Sequence, residues 1–413
     1  MGRKKALELY IHIPFCLQKC LYCDFLSFRA DERSKAEYMD QLRCEILTSG
    51  PWYEDYEVKT IFIGGGTPSS LEPEQITMLM QAVYRAFSVA EDAEITIEVN
   101  PGTRLAGKLP IYRAAGINRV SIGLQSANNE ELKLLGRIHT FEDFLTGFQS
   151  ARMAGFTNIN VDLMSAIPGQ SAESWRNTVR KIIMLKPEHI SAYSLIVEEG
   201  TPFGNHYRKT EMENGAGAAG QAETDRPDDG KTDALAGWPP LADEEEERSM
   251  YYLTKTFLEE AGFKRYEISN YAKPGYECRH NIGYWTGVPY LGFGLGASSY
   301  VDGCRFSNET DMGTYLELDF SMDGLERLHG DIHVQSRKEE MEEFMFLGLR
   351  MTEGVSAARF IQRFGINLSG VYGDVLEKLI QNKLLVRRDM HYALTDWGLD
   401  VSNYVMSEFL LDE

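Results

Sequence analysis

Leu7-Glu-Leu-Tyr10-Ile-His12-Ile-Pro-Phe-Cys16-Leu-Gln-Lys-Cys20-Leu-Tyr22-Cys23 is the stretch on which the reading of this chain turns. An apolar run reaches Phe15, and three cysteines follow at C-x3-C-x2-C spacing. The next alternate position is Phe25, not a fourth cysteine. A cubane iron–sulfur cluster takes one thiolate per iron, so three thiolates on one loop leave the fourth iron open. An open coordination position marks a reactive metal site. Its natural occupant is a small chelator carrying an amine and a carboxylate. Unrelated core cysteines and a zinc site are the competing readings. Zinc sites usually show a second Cys/His pair at short spacing, whereas Cys44, Cys278 and Cys304 are scattered singly.

Outward from this loop the chain repeats a strand–helix unit. Apolar runs recur at Leu7–Ile13, Thr60–Ile63, Ile95–Val99, Arg119–Leu124, Ile159–Met164 and His189–Ile196. Amphipathic stretches such as Lys35–Leu47, Pro73–Phe87 and Glu131–Leu135 lie between them. The alternation predicts a parallel sheet with right-handed crossovers, an open, partial (β/α)6 TIM-like barrel. Chemistry in such barrels sits at the C-terminal ends of the strands.

Several motifs fall at those ends. Gly64-Gly65-Gly66-Thr67-Pro68 follows the second run; consecutive glycines permit positive φ and close backbone approach, and a tight turn is the plainer reading. Glu98, in Glu98-Val-Asn100-Pro101, can accept from a ribose diol or an ammonium group. Gln125 ends the fourth run. Asp162 is an acid within an apolar strand, costly unless paired, and Arg137 is a candidate partner.

The cysteine loop and the run Tyr10-Ile-His12-Ile-Pro-Phe-Cys16 resemble the radical S-adenosylmethionine (SAM) superfamily, in its coproporphyrinogen-oxidase-like branch. The methionyl end of SAM supplies the amine and the carboxylate. That branch holds the oxygen-independent coproporphyrinogen III oxidases and a sister group, the HemW-type haem chaperones. The oxidase pattern has a further cysteine two residues after the third ligand; Phe25 stands there and resembles the chaperone group. The resemblance implies a 4Fe-4S cluster on Cys16, Cys20 and Cys23. It also implies SAM contacts from Tyr10, Tyr22, Gly65, Gly66, Thr67, Glu98, Gln125, Arg137 and Asp162.

Arg279-His280-Asn281-Ile-Gly-Tyr284-Trp285 resembles the H-N-x-x-Y-W hallmark of the chaperone group. An imidazole is a good axial haem ligand and aromatic rings suit a flat apolar macrocycle. His280, Tyr284 and Trp285 are therefore haem candidates; a core histidine beside ordinary aromatic packing is the competing reading.

With 413 residues there is room for two or three domains and a large core. Six cysteines are too few for a secreted disulfide scaffold, and cluster thiolates suit a reducing compartment, so a cytoplasmic location is expected. The sequence has no signal-peptide pattern and no run of about 18 apolar residues to span a membrane. A net charge of −20 disfavours nucleic acid, whose phosphates it would repel.

The expected organisation is a barrel over 1–203, an acidic low-complexity insertion over 204–248, an extension carrying the H-N-x-x-Y-W motif over 249–335 and a winged-helix-like domain over 336–413. Within the insertion, Met212–Glu247 holds few large apolar residues and predicts disorder. From Arg337 onward, helical patterns at Glu339–Arg350, Val355–Phe364 and Leu368–Asn382 precede a hairpin at Lys383–Thr395. Nine Lys/Arg against thirteen Asp/Glu there lack the basic face of a DNA reader. The expected function is haem binding and delivery to acceptor haemoproteins, membrane-associated ones among them. Oxidative decarboxylation of coproporphyrinogen III is the alternative from another class, and another radical SAM reaction on a small molecule is a third.

Overall fold

The computed structural model describes residues 4–207 and 237–411. Six parallel strands lie side by side in chain order: β1 (Lys5–Ile13), β2 (Tyr56–Gly65), β3 (Val89–Val99), β4 (Arg119–Gln125), β5 (Ile159–Ser165) and β6 (His189–Ser194). The crossovers are α1 (Glu32–Ser49), α2 (Pro73–Ala86), α3 (Leu105–Ala114), α4 (Asn129–Leu134) with α5 (Phe141–Met153), and α6 (Ala172–Leu185). The expected partial barrel is the fold. The sheet also runs further than the sequence reading had it. β7 (Lys264–Arg265) and β8 (Asn270–Ala272) add antiparallel strands beside β6. β9 (Tyr290–Phe293) joins β1 in parallel, and β10 (Ser298–Val301), β11 (Cys304–Asn308) and β12 (His329–Val334) follow, making twelve strands. Most of these additions are two to five residues long, too short for a readable period.

Alternation along the barrel strands decides what each face does, because successive side chains point to opposite faces. One face is apolar: Leu7, Leu9, Ile11 and Ile13 on β1, Ile61 and Ile63 on β2, Val120, Ile122 and Leu124 on β4 all lie in the main core. It packs against the helices. The intervening positions are polar: Glu8, Tyr10 and His12 on β1, Thr60 on β2, Glu94, Thr96 and Glu98 on β3, Arg119 and Ser121 on β4, Asn160 and Asp162 on β5. Most of them are buried, so the barrel interior is a polar column that must be satisfied from within.

At the N-terminal ends of the strands the column is closed by the helix Arg279–Thr286. His280 Nδ1 pairs with Thr60 Oγ1 at 2.7 Å, and the His280 N–H donates to Glu94 Oε1 at 3.2 Å. Gly283 lies so close to the Glu8 carboxyl that a Cβ there would overlap it. His189 links Asn160, 2.6 Å away, to the Tyr266 hydroxyl, 2.8 Å away.

The acidic insertion differs from expectation at its C-terminal end. Trp238 packs on Phe203 with ring centres 4.9 Å apart, and the Gly169 N–H donates to the Pro240 carbonyl at 2.9 Å. The helix Glu244–Glu260 starts inside the acidic run, capped by Asp243 in a reciprocal pair with Glu246. Carboxylates in a first helical turn face the positive end of the helix dipole, which is why this run is helix rather than spacer. The rest of the expected disordered stretch, to residue 236, lies outside the described residues. Arg337–Gly348, Ala357–Phe364 and Leu368–Gln381 with the hairpin strands Leu385–Arg388 and His391–Leu394 surround a separate core that includes Met345, Phe360, Tyr372 and Phe409.

Glu8 generates the first prediction. Burial pushes its carboxyl up to about 9, and the His280 ring 3.9 Å from its Oε2 is neutral and does not compensate a charge there. The folded protein therefore keeps a proton that the unfolded chain loses above the ordinary value of 4.5. Stability from this group is complete below that value and is lost as pH rises towards the folded value. Between about pH 5 and pH 8, wild-type stability should fall by roughly 1–4 kcal/mol more than that of Glu8→Gln. Urea melts of both proteins at the two pH values check this; parallel pH profiles would refute it.

Candidate functional site

The cysteine loop leaves β1 and is pinned at both ends. The Cys16 N–H donates to the Phe28 carbonyl at 3.0 Å and the Phe28 N–H to the Pro14 carbonyl at 2.9 Å. Its middle is held from across the barrel: the Leu21 N–H donates to the Leu135 carbonyl at 3.1 Å, and Gln18 Nε2 to the Gly136 carbonyl at 3.1 Å. Cys16, Cys20 and Cys23 are free thiols on the wall of one cavity of about 490 Å³. Among the described residues no three His, Cys, Asp or Glu side chains converge closely enough to hold a single metal ion. Three thiols on one wall suit a cubane, whose thiolates bind three different irons and need not share a centre.

The same cavity collects residues from the ends of five further strands or their loops: Gly65, Gly66 and Thr67 after β2, Glu98 on β3, Gln125 on β4, Asp162 on β5 and Tyr193 on β6. Tyr22 and Arg137 complete the set foreseen from sequence. Tyr10 does not line the cavity. Its hydroxyl lies 2.9 Å from His12 Nδ1, and His12 Nε2 lies 2.9 Å from the Leu26 carbonyl. A carbonyl can only accept, so Nε2 carries the proton and Nδ1 accepts from Tyr10. Burial lowers the His12 pKa and keeps the ring neutral.

The glycines serve a purpose the sequence did not disclose. Gly65 has φ +108°, and a Cβ there would overlap the His12 ring, not a ligand. The Gly66 N–H donates to the Ile13 carbonyl at 2.8 Å and the Thr67 N–H to the Phe15 carbonyl at 2.7 Å. The motif thus locks β2 onto the start of the cysteine loop, and Thr67 Oγ1 reaches Cys16 Sγ at 3.5 Å.

Charge in the cavity is arranged around two acids. Burial pushes Glu98 up to about 8, the Asp162 carboxylate adds to the shift, and the Gly65 N–H offsets part of it from 3.2 Å. Asp162 accepts from Ser121 at 3.0 Å, Asn160 at 2.8 Å and Tyr193 at 2.7 Å. Its partners are these hydroxyls and an amide; the expected Arg137 partner instead donates to the Gly123 carbonyl and to Cys20 Sγ, the latter at 3.6 Å. That places a guanidinium beside the thiols. Gln125 holds φ +76° and a buried Oε1 without a partner among the described residues. Strain of this kind in a non-glycine residue persists only where the surroundings impose it, and it clusters at ligand sites. Tyr193 and Met164 were missed from sequence. Period-two alternation from Asp162 and His189 would have flagged both as inward-facing.

The haem candidates lie elsewhere. His280 is 1% exposed, both its ring nitrogens are engaged, the second by the Tyr284 hydroxyl at 3.0 Å, and it stacks on Phe62. Burial and the Arg119 guanidinium lower it to about 3, so it is a neutral core histidine. This departs from the expectation of an available axial ligand, because Thr60 and Tyr284 occupy the two ring nitrogens that iron would need. Its anchor Thr60 stands five residues before Gly65 on β2, about 16 Å along the strand. The motif therefore closes the barrel at the end opposite the thiols. Tyr284 turns its hydroxyl inward to His280, and with Trp285 it lines a cavity towards the C-terminal helices.

Residues 10–182 match the radical SAM superfamily and residues 335–401 the HemN C-terminal domain. The curated protein named heme chaperone HemW of Bacillus subtilis is 36% identical over 97% of this chain and 98% of its own length. The protein of that name from Lactococcus lactis is 33% identical over 99% of each chain, and that from Escherichia coli 33% over the full length of both. The solved structure of the Escherichia coli coproporphyrinogen III oxidase, a radical SAM enzyme, superposes with a TM-score of 0.78 over 99% of this chain and 91% of that one. At 22% identity that likeness speaks to the fold alone. Three inward-facing thiols, a strained glutamine and paired acids at the mouth of an open six-stranded barrel accord with these matches, and the chain belongs to the HemW family of the radical SAM superfamily.

Proposed function

We propose that this protein binds haem and delivers it to acceptor haemoproteins, membrane-associated ones among them, from the cytoplasm, and that it carries a 4Fe-4S cluster and SAM in the thiol-lined cavity. Likeness to the HemW proteins over almost the whole chain carries this reading. Cys16, Cys20 and Cys23 would hold three irons, and the fourth would be left for the amine and carboxylate of SAM. Glu98 and Asp162 are placed to meet the cationic ligand, Arg137 offsets thiolate charge at Cys20, and Gln125 offers an unpaired acceptor. Bound together, the cluster and SAM would supply one-electron chemistry. Among the described residues no helix is long and apolar enough to cross a membrane. The alternative is oxidation of coproporphyrinogen III. Phe25, 69% exposed beside the thiols, occupies the place of the further cysteine in the oxidase pattern.

Anaerobically reconstituted protein should hold about four irons per chain, and serine at Cys16, Cys20 or Cys23 should remove the cluster absorption. Full cluster occupancy in a Cys16→Ser/Cys20→Ser variant would exclude these ligands.

Glu98 should couple SAM binding to pH. Protonated in the empty site below about 8, it must lose its proton to meet a cation. SAM affinity should rise with pH towards that value and level off above it, as proton release on binding requires. Calorimetry in buffers of different ionisation enthalpy checks this. The pH dependence should vanish in Glu98→Gln; an unchanged slope in that variant would assign the proton elsewhere.

Function is decided by two assays side by side. Haem titration should give a saturable Soret change near one equivalent, and reconstituted protein with SAM and reductant should leave coproporphyrinogen III unconverted. Conversion to protoporphyrinogen IX over multiple turnovers would establish the enzyme reading instead.

A further inference from the structure

Tyr284 and Trp285 open onto a cavity of about 250 Å³ between the barrel plug and the C-terminal helices. It shares Val288, Tyr300, Phe344, Arg359 and Arg363 with a neighbouring opening of about 720 Å³, so the two form one cleft. Together they reach the size class of cofactor sites, roughly 300–1,000 Å³. The walls are aromatic: Tyr284 and Tyr290 meet with ring centres 4.6 Å apart, and Arg350 lies 4.2 Å from the Trp285 ring centre.

Three arginines and three glutamates, Glu340, Glu343 and Glu353, line the first cavity, so it lacks the acidic excess of a chain whose net charge is −20. Arg305, Arg359 and Arg363 all line it. Arg305 is paired with Glu343 at 2.6 Å, and Arg363 donates to the Tyr300 hydroxyl at 2.9 Å and lies 3.7 Å from Glu340. Arg359 makes no ion pair among the described residues, and it sits one helical turn before Arg363 on Ala357–Phe364. Two guanidiniums one turn apart above an aromatic slot suit a flat macrocycle bearing two carboxylates. On the hairpin strand paired with Ser356, at the start of that helix, His391 is a third exposed at its side chain, and its ion pair among the described residues is Nε2 to Glu353 at 3.3 Å, a residue itself 76% exposed. Such a surface pair contributes little and is readily exchanged for a better partner.

We infer that haem sits in this seam, its propionates on Arg359 and Arg363 and its iron on His391, so that the C-terminal domain supplies the ligand and the H-N-x-x-Y-W helix supplies the wall. This rests on the haem-binding reading above. A single histidine on a surface hairpin is exchangeable, which delivery to an acceptor requires, whereas His280 would have to break two hydrogen bonds inside the barrel.

Titration of the full-length protein with ferric protoporphyrin IX tests it, followed by Soret absorption and low-temperature electron paramagnetic resonance. His391→Ala should shift the Soret band and weaken binding about tenfold or more. Arg359→Glu/Arg363→Glu should weaken haem by a similar factor and leave binding of the dimethyl ester, which lacks the carboxylates, unchanged. Wild-type spectra and affinities in both variants would overturn the seam while leaving the haem function standing. Absence of saturable haem binding in the wild type would instead remove the haem function itself. Both substitutions lie at the surface of their elements, and circular dichroism of each variant confirms that the fold survives.

Discussion

Six strands bury a polar face, and the rest of the architecture is a response to that. An unpaired polar group away from water costs on the order of 1–3 kcal/mol, so an interior lined by Glu8, Thr60, Glu94, Arg119, Asn160 and His189 has to be answered residue by residue. At the N-terminal ends of the strands the answer is protein: His280 meets Thr60, Cys278 and the His280 backbone meet Glu94, Tyr266 meets His189. At the C-terminal ends Glu98, Gln125 and Asp162 face a cavity that the cysteine loop walls on one side. The site exists where the polar column is left to be completed by something other than the chain.

This division also explains why the residues of the cavity are held so firmly. Asp162 is fixed by three donors, and the glycine run ties β2 to the start of the cysteine loop through two backbone bonds. His12 joins Tyr10 of β1 to the Leu26 carbonyl, and its ring fills the space that a side chain at position 65 would need, which is why Gly65 must lack one. A loop carrying three thiols would otherwise be free to fold away; here its ends are bonded to each other and its middle to the Leu135–Gly136 turn across the barrel.

The two ends of the barrel accordingly have different characters. The thiol end is open and carries a strained residue and an acid shifted to near neutrality. The plugged end turns a core histidine inward, held by the Tyr284 hydroxyl, and its helix lines a cavity beside a domain with its own core. Separation of about 16 Å along β2 keeps any ligand at the plug away from chemistry at the thiols.

Much of this was legible in the sequence. The six barrel strands and their order, the three-cysteine loop and the gathering of Glu98, Gln125 and Asp162 at strand ends follow from period-two alternation and from the rule that strand C-termini meet at one face. The helix start at Glu244 could have been read from Asp243 and Glu246, a capping pair mistaken for a spacer. Other features were beyond reach. Alternation says that Tyr10 and Asp162 point inward, yet not that Tyr10 spends its hydroxyl on His12, nor that Asp162 takes hydroxyls where an arginine was expected. The partners of His280 are Thr60, 220 residues away, and Tyr284, four residues on. The chain alone could name His280 as a ligand or a core residue, and only the packing of its helix into the barrel floor chose between them. The seam is the same case: Arg359, Arg363 and His391 carry no shared motif, and they come together because a separate core sets one helix and one hairpin against the plug. Local sequence determines which face a side chain takes; what covers that face is decided by contacts between segments hundreds of residues apart, which no local pattern encodes.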